Sequence, residues 1–159
     1  MKRLAAASAA LLVLITACGP DLGSGLTACQ LITKTDVQKA IPEVTFTESR
    51  TIGDKAASQC LFVEEGSRSF GMNVSIRIDR TGGDDKFESD RKRAESAPGH
   101  SVTPQPGLGE EAYIERPADK GSATVETRSG DAVLTVAVSG GFEMDRQALA
   151  LTRLGLSRL

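Results

Sequence analysis

From Met72 to Ile78 the chain alternates apolar and polar side chains, with Met72, Val74, Ile76 and Ile78 on one face and Asn73, Ser75 and Arg77 on the other. A period of two is the mark of a strand buried on one face, and a polar second face suits an antiparallel sheet. Further strands are predicted at Cys60 to Val63, Glu111 to Glu115, Ser122 to Arg128 and Ala132 to Ser139, with a short one at Val44 to Thr47. Ser129-Gly130-Asp131 has the composition of a hairpin turn, while Glu48 to Ser58 and the stretch holding Pro104, Pro106, Gly107 and Gly109 read as loops.

Three segments carry helical spacing instead. Thr33 is placed to cap a first helix, with Asp36 three residues on as a capping-box variant, Ile32 stapling against Val37, and Pro42 as the stop. Val37, Ala40 and Ile41 would form its buried stripe, and Lys34, Gln38 and Lys39 its wet face. Lys86 to Ala97 reads as a charged surface helix with few apolar contacts beyond Phe87 and Ala94, closed by Pro98-Gly99. A last helix spans Met144 to Leu156, its stripe made by Met144, Ala148 and Leu151, with Asp145 favouring its N-terminus. The fold class expected is α+β, an antiparallel sheet of about five strands packed with helices.

The N-terminal run follows none of these patterns. Met1-Lys2-Arg3, an apolar stretch from Leu4 to Ile15, and then Ile15-Thr16-Ala17-Cys18 make a lipobox, in which small side chains fit a signal peptidase and the thiol carries a diacylglyceryl group. A retained transmembrane helix is the competing reading, but about 12 apolar positions fall short of the ~20 needed to cross a bilayer, and Gly19-Pro20 would stop the helix. An ordinary secretory signal cut near Ala17 also fits. Residues 1–17 are therefore expected to be a lipoprotein signal peptide, 18–28 a lipidated tether rich in glycine, and 29–159 a single globular domain. The expected location is the outer face of the cytoplasmic membrane, held by acylated Cys18.

That compartment decides the cysteines. With Cys18 spent on lipid, Cys29 and Cys60 are left in an oxidising environment and are expected to pair. Two free thiols for redox or metal chemistry are the alternative, disfavoured because neither lies in a Cys-x-x-Cys and the one histidine, His100, adds few soft ligands. A Cys29–Cys60 bond would clamp the Thr33–Pro42 helix onto the strand Cys60 to Val63.

The formal charge is −2 and becomes more negative once Lys2 and Arg3 leave with the signal, so no basic block remains for phosphates. Lacking Trp and holding one Tyr, Tyr113, the chain also offers little aromatic surface for stacking bases. Nucleic acid is excluded as an expected partner, and no metal or cofactor is expected. Catalytic chemistry is thinly represented: His100 sits between Gly99 and Ser101 as an idle loop histidine, and Ser89-Asp90-Arg91-Lys92 matches Ser-x-x-Lys without that motif's partners. The acid pairs Glu64-Glu65, Asp84-Asp85 and Glu110-Glu111 read as solvated surface, and Asn73-Val74-Ser75 as a sequon inside a strand.

Cys29-Gln30-Leu31-Ile32-Thr33-Lys34-Thr35-Asp36-Val37, Gln59-Cys60-Leu61-Phe62 and Gly107-Leu108-Gly109-Glu110-Glu111-Ala112-Tyr113, followed by an Ala- and Leu-rich final helix, resemble an actinobacterial lipoprotein family known as domain of unknown function 3558. The resemblance covers nearly the whole mature chain and implies an envelope lipoprotein with a cysteine staple and no established activity. More loosely, such domains look like the Mog1/PsbP type of α-β-α sandwich. An aromatic such as Trp often stands near the second cysteine of these families, where this chain has Phe62 two residues on. The expectation is a non-catalytic binding or sensing module for an envelope protein or small-molecule ligand. The alternative is a hydrolase or transferase working through carboxylates such as Glu110 and Glu111.

Overall fold

The computed structural model describes residues 25–67 and 71–159, so the expected signal peptide, Cys18 and the first part of the expected tether lie outside the described residues. Thr27 and Ala28 already belong to the domain. The first helix, α1 (Ala28–Leu31), begins there, with the Gln30 side chain reaching back to accept from Thr27 N at 2.9 Å and Ala28 fully buried. Next comes α2 (Lys34–Ala40), whose start is the expected one: Thr33 and Asp36 exchange side-chain and backbone hydrogen bonds, and both Ile32 and Val37 enter the core.

The strands are β1 (Phe46–Gly53), β2 (Ala57–Glu64), β3 (Asn73–Asp79), β4 (Ser101–Pro104), β5 (Glu111–Arg116), β6 (Ser122–Ser129) and β7 (Ala132–Ser139). They form one sheet in the order β1-β2-β3-β7-β6-β5-β4, with every neighbouring pair antiparallel. Two more helices complete the α+β fold: α3 (Gly83–Ser96) between β3 and β4, and α4 (Met144–Leu156) at the end.

Seven strands stand where about five were expected, and the departures lie at the two sheet edges: the short strand expected at Val44 to Thr47 is longer, and β4 is new. The segment from Glu48 to Ser58, read as a loop, is a hairpin: β1 runs on to Gly53, and β2 starts at Ala57. Its sequence hides this because an edge strand meets water along one side; after Phe46 no described side chain of β1 is buried, so no alternation marks it. The turn is set by Asp54, whose Oδ1 accepts from the amides of Ala56 at 2.8 Å and Ala57 at 3.1 Å, and by Gly53 at φ 94°. At the opposite edge, β4 occupies Ser101 to Pro104, ending at a residue with no amide to donate.

Three helices and one helix share the two faces of the sheet. On one side α1, α2 and α4 close over the main core, in which Phe46, Phe62, Ile76, Ile114, Val125, Leu134, Val136 and Leu151 are almost wholly buried. Strand alternation turns Tyr113 and Val133 to the other side, where they meet Phe87 and Ala94 of α3 in a second, smaller apolar cluster. The sheet therefore lies between two unequal helical layers.

Cys29 and Cys60 are joined in a disulfide with their Cα atoms 5.1 Å apart. Cys29 lies in α1, so the bond fastens α1 to β2 and not, as expected, the helix that starts after Thr33. Gln38 also departs from its expected wet position: its amide donates to Val44 O and its Oε1 accepts from Phe46 N at 3.3 Å, which guides the chain from α2 into β1.

Candidate functional site

A groove of about 330 Å³ runs between α3 and the β4–β5 edge. One wall is α3, which presents Phe87, Arg91 and Glu95 one helical turn apart, and the floor is Tyr113, Ala112 and Val102. Phe87 and Tyr113 meet with ring centroids 5.4 Å apart and planes inclined at 55°, an edge-tilted arrangement that anchors the helix to the sheet. The far wall is the loop from Pro104 to Gly107.

The Gly107–Tyr113 motif builds that wall. Leu108 is buried in the main core, and Gly109, at φ 65°, passes so close to β6 that a Cβ would lie 2.5 Å from Arg128 O. Thr127 donates its hydroxyl to Leu108 O at 3.0 Å, and Glu110 N donates to Arg128 O at 2.9 Å. Glycine is required there by close approach, and the loop is pinned before β5 begins.

Charge lines the rim. Arg91 pairs with Glu88, Glu95 and Glu111 at 3.4, 3.3 and 3.8 Å. Glu110 and Glu111, the carboxylates singled out for catalysis, are about half exposed and are both held by Arg128, at 2.5 and 3.6 Å. Arg128 also reaches Asp84 at 2.9 Å, tying the start of α3 to β6. The two acids stand in the groove wall, but each faces a guanidinium and neither is buried.

The acids that are buried between α3 and the sheet are Asp90 and Glu126, and sequence reasoning missed both. Asp90 lies on the inner face of α3 between Phe87 and Ala94, 7% exposed, where its carboxylate accepts from Lys86 Nζ and from Arg93 at 2.6 Å. Glu126 of β6, 4% exposed, accepts from the Thr135 hydroxyl at 3.3 Å through Oε2, while Oε1 has no hydrogen-bond partner among the described residues. Burial, and next the nearby Asp90 carboxylate, push the Glu126 carboxyl up to about 7; Lys86, Tyr113 and Thr135 pull the other way. Burial and then Glu126 itself raise the Tyr113 phenol far above its ordinary value. The signal for Asp90 was legible, since positions 87, 90 and 94 share one helical face. Glu126 gave none, because it falls on the face of β6 opposite Ala123, Val125 and Thr127, which only the docking of α3 turns from wet to dry.

His100 is not idle. Its Nδ1 stands 2.5 Å from Glu115 Oε1 on β5, at the end of the loop leaving α3. Ser89 and Lys92 flank Asp90 on α3, and the sequon Asn73-Val74-Ser75 lies in β3. Glu48 comes within ligand reach of both bonded sulfurs, but disulfide sulfurs carry no thiolate charge for a metal.

No family model, no curated protein and no solved structure matches this chain. Of the stretches singled out in the sequence, Gly107–Tyr113 is the one that lines the groove. No helix among the described residues is long and apolar enough to cross a membrane.

Proposed function

We propose that this protein is an envelope lipoprotein of the domain of unknown function 3558 kind, anchored through acylated Cys18 at the outer face of the cytoplasmic membrane, and that it works as a binding module. The observation that carries the binding reading is the groove between α3 and the β4–β5 edge: an apolar floor of Phe87, Val102, Ala112 and Tyr113 under a rim of three carboxylates, Glu95, Glu110 and Glu111, and one guanidinium, Arg91. Concave, largely apolar sites with a few fixed polar groups are what small ligands and inserted side chains occupy. The acid excess at the rim favours a ligand with an apolar or aromatic body and a cationic end. The Cys29–Cys60 bond supports the extracytoplasmic address, because such bonds persist in oxidising compartments.

Two ring-matched probes of opposite charge test the binding reading. Titration with tryptamine is expected to shift the amide resonances of Val102, Ala112 and Tyr113, with indole-3-acetate much weaker. Equal silence from both would overturn it. The anchor is tested by mass spectrometry of protein extracted from membranes: an acylated Cys18 N-terminus, lost in a Cys18→Ala variant, is expected, and an unprocessed Met1 terminus would refute it.

A further inference from the structure

Helix α3 has a small apolar seat. Among the described residues it is alone on its face of the sheet, and its apolar seat is Phe87 and Ala94 against Tyr113 and Val133, with Val102 at the side. The opposite helices share a core several times larger. Glycines in the left-handed region stand at both ends of α3, Gly82 at φ 67° and Gly99 at φ 75°, where the backbone can change direction without a Cβ penalty. In the middle of this small seat, where a fully apolar contact would hold best, the chain places two carboxyl groups.

We propose that α3 is a hinged cover controlled by a proton on Glu126: the helix seats on the sheet while Glu126 is protonated and lifts when Glu126 ionises. Two carboxyl groups are buried between α3 and the sheet, Asp90 on the helix and Glu126 on β6, and Asp90 takes the cations of its own helix. From α3, Lys86 and Arg93 both engage Asp90. From β5, Tyr113 and, two residues on along the same face, Glu115 approach the site; from β7, Thr135 donates to Glu126 Oε2. Glu126 Oε1 is left in a dry site without a donor. A carboxylic acid tolerates that position, whereas a carboxylate there has lost its hydration and faces the charge of Asp90. Lifting α3 lets water reach Oε1 and separates Asp90, carried on the helix, from Glu126, carried on the sheet. The upward displacement of the Glu126 carboxyl to about 7 agrees with this reading and puts the transition near neutrality.

Because α3 supplies Phe87, Arg91 and Glu95 to the groove, lifting it removes a wall of that site. This consequence rests on the binding reading given above; the motion of the helix does not, and it is measured without ligand.

Amide hydrogen exchange of the full chain at pH 5 and pH 8, corrected for the intrinsic pH dependence of exchange, tests the proposal. Opening of α3 from Phe87 to Ala94 is expected to increase at least tenfold at pH 8, while β7 and α4 change less than half as much on a logarithmic scale. Glu126→Gln, which keeps shape and cannot ionise, is expected to hold α3 equally protected at both values. Should that variant fold poorly, the wild-type Glu126 carboxyl resonance followed by NMR must titrate with the same midpoint as the α3 opening. Equal protection of α3 at the two pH values, a pH dependence that survives in Glu126→Gln, or a Glu126 already ionised at pH 5 would each overturn the proposal. Tryptamine binding measured at pH 5 alone reports on the groove, so the failure of one reading is told apart from the failure of the other.

Discussion

Arg158, the second-last residue, forms a two-pronged ion pair with Asp36 of α2, its Nη1 2.6 Å and its Nη2 3.0 Å from the two carboxylate oxygens across 122 positions of sequence. The same Nη1 donates to Leu31 O at 2.8 Å, so one guanidinium ties the chain's end to both α1 and α2. Paired, fork-to-fork bonds of this kind are stronger than single ones and fix orientation as well. Asp36 meanwhile serves the α2 cap, accepting from Thr33 N at 2.9 Å. Removing the guanidinium leaves that cap intact, so Arg158→Ala is expected to lower unfolding stability by about 1 kcal/mol, whereas Asp36→Ala loses both roles and about 2 kcal/mol. Urea denaturation at pH 7 checks the order; an Arg158→Ala loss equal to or larger than that of Asp36→Ala would contradict it.

The disulfide closes a span of 31 residues, from Cys29 to Cys60. Constraining a loop of that length in the unfolded chain contributes about 3–4 kcal/mol by the chain-entropy argument. A Cys29→Ala, Cys60→Ala double variant is therefore expected to fold with a denaturation midpoint shifted by that amount, and α1 to lose exchange protection before α4 does. An unchanged midpoint would show that α1 is held by its packing alone.

Gly83, the first residue of α3, rests against the turn between β6 and β7. A Cβ there would stand 2.8 Å from the carbonyl carbon and oxygen of Asp131 and 2.8 Å from Gly130 O, all backbone atoms that cannot rotate aside. Gly83→Ala is expected to push the start of α3 outward and cost about 1–2 kcal/mol, with the amide shifts confined to α3, Gly130 and Asp131. Gly82→Ala, in open space but at φ 67°, separates the two causes: it strains the backbone without a collision.

How far the sequence revealed these features depended on whether a residue's surroundings are local. The α2 cap, the β3 alternation, the β7 strand, the Gly130-Asp131 turn and the extent of α4 all follow from neighbours within a few positions, and the structure has them where the pattern put them. The β1–β2 hairpin did not show because its outer strand has one neighbour and so no periodic burial. The burial of Glu126 could not be read at all, since it needs α3 folded back over β6, a placement no local pattern contains. Tyr113 lay in a recognised motif, but its position under Phe87 depends on the same fold-back.

Tyr113 is the cross-strand neighbour of Glu126, and its hydroxyl is one of the influences that hold that carboxyl down against burial. Tyr113→Phe keeps the ring against Phe87 and deletes the hydroxyl. The expected result is a Glu126 titration moved above its wild-type midpoint of about 7, read from the side-chain carboxyl resonance. A downward shift would mean that the hydroxyl is not bonded to Glu126.

Stability should vary with pH in two limbs of opposite sign. The hydrogen bonds from Arg158, foremost, and from Thr33 hold the Asp36 carboxyl well below its ordinary 3.8, so its contribution is present above that value and is lost as the pH falls further; Asp54, bonded to the amides of Ala57 and Ala56, acts in the same direction. Glu126 runs the other way. Its native carboxyl sits at about 7 against an ordinary 4.5, so the native state binds the proton more tightly than the unfolded chain does. That contribution is complete below 4.5 and disappears as the pH rises through about 7. The urea midpoint is accordingly expected to peak in mildly acid solution, to fall on the acid side through Asp36 and Asp54, and to fall on the alkaline side through Glu126. Glu126→Gln should flatten the alkaline limb alone, and Asp36→Asn should reduce the acid limb alone. An alkaline limb unchanged in Glu126→Gln would assign it to some other group and remove the buried carboxyl from the account of α3.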